Sequence, residues 1–222
     1  MEDKHCIIPS YDVLSDQEIQ LINDNSYQVT YQAKENIFRQ QAPVSHFIYL
    51  QKGLVKIYKE GKTNHVLILK IQKPGHFLGM LSLFGQNVYQ YSAATIESAE
   101  VTFVDKNVLL KVIRENGKYA SFFLDQLAKS GLHIFDKLIN LTRKQLPGRI
   151  AEIILYFSTE IFESEKFEFP LTRQELAELA STTKESLIRT LSEFKHDKII
   201  EISGKKIEIK SMKIIRILSE MG

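Results

Sequence analysis

The hydrophobic period changes twice along this chain, and the changes mark off segments that no single type of secondary structure can serve. From Tyr27 to about Val104, short β-rich runs are cut by Gly, Pro, Asn and Lys: Ile37-Phe38, Phe47 to Leu50, Leu54 to Tyr58, Val66 to Ile71, Ala93 to Ile96 and Val101 to Val104. Runs this short and this closely spaced predict a small β-sandwich or barrel. Leu54-Val55-Lys56-Ile57-Tyr58-Lys59 alternates as a half-buried strand does, and Gly53, Gly61, Gly75 and Gly79 fall where turns or close backbone approaches are needed. Ahead of this region, Ser15 and Glu18 stand in capping-box spacing before Ile19, Leu21 and Ile22, which predicts a short helix.

From Lys106 the period lengthens. Ala120, Leu124, Leu127, Gly131, Ile134, Leu138 and Leu141 recur at alternating spacings of four and three, an a/d seam over about three heptads. One helix cannot bury such a stripe alone, so either the β-rich domain or a second copy of the chain covers it. Phe122, Phe123 and Phe135 offer a separate apolar surface for the β-rich domain, which favours a parallel homodimer along the seam. Pro147 breaks the helix and can open the next one in its first turn, so a hinge belongs at Arg143 to Gly148. Helical patterning resumes at Ile150, Ile153, Ile154 and Phe157, before an acidic loop at Glu160 to Glu165.

Thr172 with Glu175 three residues on forms a second capping box, opening a helix whose apolar positions are Leu176, Leu179 and Ala180. After Ser181-Thr182-Thr183 a further helix turns Leu187, Leu191 and Phe194 inward. Two short helices joined by a tight turn make a helix-turn-helix. The opposite face of the second helix carries Lys184, Glu185, Ile188, Arg189 and Ser192, which suits a major groove. An Arg can give two parallel hydrogen bonds to guanine and a Glu can accept from cytosine N4, so this face can read bases. Ser186 beside it, and Thr172 and Arg173 at the start of the preceding helix, complete the candidate DNA-contacting set. Glu185, three residues after Thr182, also has the spacing of a helix cap. Ile200 to Ile209 alternates about Ser203-Gly204, a hairpin whose Lys205 and Lys206 either meet the phosphate backbone or keep the hairpin soluble.

Charge agrees with this placement only locally. The formal net charge is +2, which by itself demands no polyanionic partner. Residues 183–222 nevertheless hold nine Lys/Arg against six Asp/Glu, a net of +3, leaving −1 for the other 182 residues. Cys6 is the one cysteine, so no intrachain disulfide, Cys-x-x-Cys pair or four-cysteine iron–sulfur site can form. With no signal-peptide pattern at Met1-Glu-Asp-Lys-His and no apolar run of membrane length, a cytoplasmic protein that does not enter a membrane is expected. No nucleophile–base pair, metal spacing or Gly-rich phosphate loop points to an enzyme. The competing class is a ligand-binding or haem-dependent gas-sensing module that acts through a partner protein, its helix-turn-helix serving as the protein contact.

Gly53-Leu-Val-Lys-Ile-Tyr58, Pro74-Gly75-His-Phe-Leu-Gly79, Gly148-Arg149-Ile-Ala151 and Thr172-Arg-Gln-Glu-Leu-Ala177 with Lys184-Glu185-Ser-Leu-Ile-Arg189 occur in an order that resembles the cAMP receptor protein/FNR (Crp/Fnr) family of bacterial transcription regulators over nearly the whole chain. The resemblance implies an α+β chain: an N-terminal double-stranded β-helix (a cyclic-nucleotide-binding-like β-roll sensor) over 1–115, a dimerisation helix and hinge over 116–146, and a winged helix-turn-helix over 147–222. It implies a homodimer on palindromic double-stranded DNA, with RNA polymerase as a further partner. Two-fold symmetry would set the half-sites about 34 Å apart. An effector would bias the packing of the dimer helices, and the hinge would set the spacing of the recognition helices. In the family, the pair matched by Glu185 and Arg189 reads a C·G pair, while Lys184 stands where arginine is frequent and Ser181 where glycine is frequent.

The resemblance also locates a departure. Family members that bind cyclic nucleotides hold the ribose with a glutamate just after the glycine matched by Gly79, and the phosphate with an arginine just before a Ser-Ala pair. Here those places hold Met80 and Tyr91, which argues against a cAMP switch. Haem, used by some members, is a candidate through His5, His46, His65, His76 or His133. An apolar effector pocket drawn from Phe77, Gly79, Met80, Leu81, Leu83, Phe84, Tyr91, Ser92, Phe123 and Leu127 is the other.

Overall fold

The computed structural model describes residues 8–9, 11–61 and 65–221. Their contacts divide the chain into two compact units, residues 1–60 with 71–133, and residues 134–222 with 61–70. His5 and Cys6 lie outside the described residues.

The first helix, α1 (Asp16–Asp24), forms as its capping box requires: Ser15 Oγ accepts from the Glu18 amide while the Glu18 carboxylate accepts from the Ser15 amide at 2.7 Å. The β-roll then follows as β1 (Ser26–Tyr31), β2 (Asn36–Phe38), β3 (His46–Lys52), β4 (Val55–Glu60), β5 (Val66–Gln72), β6 (His76–Leu78), a single-turn helix α2 (Met80–Phe84), β7 (Ser92–Thr95) and β8 (Ala99–Asp105). Two four-stranded sheets result, in the orders β1-β8-β3-β6 and β2-β7-β4-β5. Each expected apolar run became a strand. β1 and β6 add to them; they carry only three to six residues, and polar positions interrupt their pattern. Phe47, Leu50, Val55, Ala93 and Val101 are buried in this unit. Gly53 has φ +85, and a Cβ there would lie 2.4 Å from the Ser98 carbonyl oxygen, so that turn admits only glycine.

Helix α3 (Lys106–Glu115), capped by Asp105, precedes α4 (Gly117–Arg143), which carries the seam. Tyr119 and Phe123 of α4 are buried, and Phe122 stacks along Tyr119. Phe135, expected on the same apolar surface as Phe122 and Phe123, is 64% exposed. At about 100° per residue it stands roughly a third of a turn from Phe123 and near the Ala120–Leu138 line, so it widens the seam. Leu124 (66% exposed), Ile134 and Leu138 (56%) are also open to solvent, whereas Ala120, Leu127, Gly131 and Leu141 are half-buried.

Beyond a break at residues 144–145, α5 (Leu146–Tyr156) begins with Pro147 in its first turn and ends in a π-type turn over Phe157–Ile161. It packs against the C-terminal helix and the two motif helices. Strand β9 (Lys166–Glu168) leads to α6 (Arg173–Ala180), α7 (Lys184–His196), β10 (Ile200–Ser203), β11 (Lys206–Ile209) and α8 (Met212–Met221). The hairpin gains β9 as a third strand, in the order β10-β11-β9. Its two-residue loop puts Gly204 at φ +58 in the first central position.

Candidate nucleic-acid interface and sensor site

Two local signals set the bearing of α7. Thr172 Oγ1 accepts from the Glu175 amide at 3.2 Å and Glu175 accepts from the Thr172 amide at 2.8 Å, fixing the start of α6. At its other end Ser181 adopts φ +53, a left-handed C-cap in which a non-glycine residue is strained, and the Thr182 amide closes onto the Ala177 carbonyl. Thr183, not Thr182, caps α7: its Oγ1 accepts from the Ser186 amide and bonds the Ser186 hydroxyl at 3.0 Å. Glu185 is therefore no capping partner, because the third residue after the cap is Ser186.

Leu187, Leu191 and Phe194 of α7 are buried as expected, with Thr190 beside them. Lys184, Glu185, Arg189 and Ser192 are exposed, and Ile188 is 42% exposed among them. An aliphatic side chain held in solvent between four polar neighbours suits contact with a thymine methyl. Ser192 Oγ donates to the Ile188 carbonyl of its own helix at 2.9 Å. Thr172 is engaged in its cap. The Arg173 guanidinium donates to the Gly204 carbonyl and lies 5.7 Å from the Phe169 ring centre, so it holds the hairpin turn against α6. Lys205 is exposed at the hairpin turn, while Lys206 pairs with Glu168 across the sheet at 3.5 Å. Lys195, which sequence reasoning passed over, binds Glu201 at 2.8 Å and the Ile202 carbonyl at 3.0 Å, tying the end of α7 to β10.

The sensor residues fall into separate groups. Phe77 and Phe123 join Phe47 and the half-open Phe84 in an aromatic cluster with centroid distances of 5.1–6.2 Å. Gly79, at φ +75, heads α2, and the space where a Cβ would point is filled by Tyr89, whose Cε1 lies 2.6 Å away. Tyr89 stacks on Phe38 with centroids 3.8 Å apart, and Tyr91 approaches Phe38 at 6.2 Å. Burial pushes the Tyr89 hydroxyl well above the ordinary phenol range, Tyr91 adding to the effect; burial also raises Tyr91, with an opposing hydrogen bond to Ser82. Met80 is 6% exposed, Leu81 is exposed, and Leu127 is half-buried on α4. The hydroxyls nearby are already in use, since Ser92 accepts from the Gln40 amide at 2.9 Å and Ser82 from the Gln90 amide at 3.2 Å. The rings of Tyr89 and Phe38 thus occupy the ground above Gly79, next to the buried Met80 and Tyr91. Phe38 and Tyr89 were missed in the sequence, where a ring two residues before Tyr91 was the one available signal.

The described histidines stand on separate elements. His46 opens β3, meets Ser45 Oγ at 2.8 Å and packs edge-on to Tyr27 and Phe103; His65 is exposed, His76 begins β6 and His133 lies in α4. Among the described residues no group of three or more His, Cys, Asp or Glu is placed to hold a metal ion, and no helix is long and apolar enough to cross a membrane.

Comparison with known proteins agrees with this arrangement. Residues 28–116 match the cyclic nucleotide-binding domain and residues 148–216 the Crp-like helix-turn-helix domain. The chain is 26% identical over 203 residues to the anaerobic regulatory protein of Bacillus subtilis, spanning 88% of this chain and 85% of that one. It is 25% identical over 177 residues to the CRP-like cAMP-activated global transcriptional regulator of Mycobacterium tuberculosis, spanning 78% and 79%. The fold of FixK2 from Bradyrhizobium japonicum superposes with a TM-score of 0.80 at 22% identity, over 87% of this chain and 96% of that one. With a cyclic-nucleotide-binding-type domain followed by a Crp-like helix-turn-helix, the chain belongs to the Crp/Fnr family of DNA-binding transcription regulators.

Proposed function

We propose that the protein is a homodimeric, sequence-specific regulator that inserts α7 into the major groove of a palindromic site and takes no cyclic nucleotide as its signal. The observation that carries the DNA reading is the polarity of α7: Leu187, Leu191 and Phe194 point into the domain while Lys184, Glu185, Ile188 and Arg189 stand in solvent. Arg189 offers a fork to guanine, Glu185 accepts from cytosine, and Lys184 and the hairpin tip at Lys205 serve the phosphates. The open seam of α4 supports the dimer, because Leu124, Ile134, Phe135 and Leu138 leave an apolar stripe that a twin helix would cover. RNA polymerase is the downstream partner in this reading. The effector, where one acts, is apolar and enters beside the Phe77–Phe123 cluster, because the Gly79 site offers packing in place of charge. The scattered histidines give the haem alternative little support.

The test is selection of duplexes from a random pool, followed by salt titration of the winner. Affinity that falls linearly in log–log form with salt, with a shared palindromic motif, is expected. Arg189→Ala should weaken the selected site by about 1–3 kcal/mol and relax preference at one base pair. Absence of any affinity at low salt would support action through a protein partner instead.

A further inference from the structure

Lys137 of α4 and Arg149 and Glu152 of α5 lie outside the exposed face of α7, yet they gather the ends of three helices. Helix α6 ends with orphan carbonyls, and the following amides of Ser181 and Thr182 reach only those of Ala177 and Glu178. The next two are taken by cations. Lys137 Nζ, from the last turns of α4, donates to the Leu179 carbonyl at 2.6 Å, and Arg149 Nε, from the first turn of α5, donates to the Ala180 carbonyl at 3.0 Å. Cations at a helix C-terminus also meet the negative end of its dipole. Arg149 uses the other arm of its fork, Nη1, to donate to the Lys144 carbonyl just past α4 at 2.8 Å. Glu152 accepts from Lys144 Nζ at 3.1 Å and from Asn140 Nδ2, so the bend between α4 and α5 is crossed again.

We infer that Lys137 and Arg149 are positioning residues for the DNA-reading motif, bracing the bend and locking the last turns of α4 to the end of α6. Three residues beyond that end Thr183 caps α7, so a displacement of α4 reaches Lys184 and Glu185 as a rigid movement and is not absorbed at residues 144–146. The expected hinge is thus a braced joint. The inference rests on the DNA-binding reading proposed above, and it identifies the route by which a signal in the dimer helix would reach the recognition helix.

The experiment uses the full-length protein and the duplex it selects from a random pool. Lys137→Met and Arg149→Lys are each expected to lower affinity for that duplex about tenfold or more, because each removes a charge-assisted or forked bond. The salt slope should stay unchanged; a slope smaller by about one would make the residue a phosphate contact and overturn the inference. Burial lowers Lys137 to about 8, with Glu152 of α5 opposing and Arg149 of α5 adding to the effect, while α6 meets the ammonium with the Leu179 carbonyl. Wild-type binding should therefore weaken from about pH 7 to about pH 9 as the ammonium loses its proton, and Lys137→Arg, which stays charged, should restore a flat profile. That comparison also decides the matter if Lys137→Met fails to fold. Unchanged affinity in natively folded Lys137→Met and Arg149→Lys overturns the brace. If the wild type selects no duplex, the DNA reading fails separately, and amide hydrogen exchange takes over: Lys137→Met should speed exchange at Ser181 to Lys184, and equal rates would overturn the brace.

Discussion

The outward face of α7 and the ground above Gly79, the two surfaces on which the proposed function rests, have opposite chemistry. On α7, Lys184, Glu185 and Arg189 extend into solvent from a helix whose other face is fully packed, so their charges remain available to a partner arriving from outside. Above Gly79, Tyr89 and Phe38 stack face to face, Met80 is turned inward, and the nearby serine hydroxyls accept backbone amides. A charged group in water costs the fold little, whereas a stacked buried ring adds to its stability and closes the site. One surface is charged and open to solvent, the other is aromatic and closed by packing.

The sharpest way to break that contrast is Tyr89→Ala. If the ring is core, its loss should cost about 3–5 kcal/mol in chemical unfolding, as for other large buried rings. A loss under about 1 kcal/mol would make Tyr89 a movable cover over a ligand site. Leu138→Glu tests the DNA-reading half from its support. The side chain is exposed in the protomer, so folding should survive, but carboxylates facing each other across the seam should give a monomer in sedimentation. Affinity for a full palindrome should then fall by about 100-fold through lost bivalency; a persistent dimer would place the interface elsewhere. The smallest effect concerns Ile188. Replacing the facing thymine by uracil removes one methyl and should cost the wild type about 0.8 kcal/mol, and Ile188→Ala should be indifferent to the change. Equal sensitivity in both proteins would remove Ile188 from base reading.

The order of elements was readable because period and capping agree with tertiary packing over most of the chain. Ser15 with Glu18 and Thr172 with Glu175 made the boxes their spacing announced. Some elements escaped. β9 holds one buried residue, Phe167, between two exposed ones, which leaves no period to detect. Helix α3 abuts the end of a strand, and its cap, Asp105, also closes β8. Phe135 is exposed where Phe123 is buried, because membership of an aromatic run says nothing about angle around a helix. Tyr89 and Phe38 meet across 51 positions of sequence, and Lys137 finds Leu179 across 42, so neither contact has a local signature. The exposed face of α7 was legible since its burial pattern and its chemistry lie within one helix.

The most direct measurement is a titration of the selected duplex with wild-type protein in the presence and absence of excess cAMP. The account predicts tight, salt-sensitive, sequence-specific binding whose two curves superimpose, because the recognition face is complete and the Gly79 site is filled. Specific binding that appears only with cAMP would contradict it.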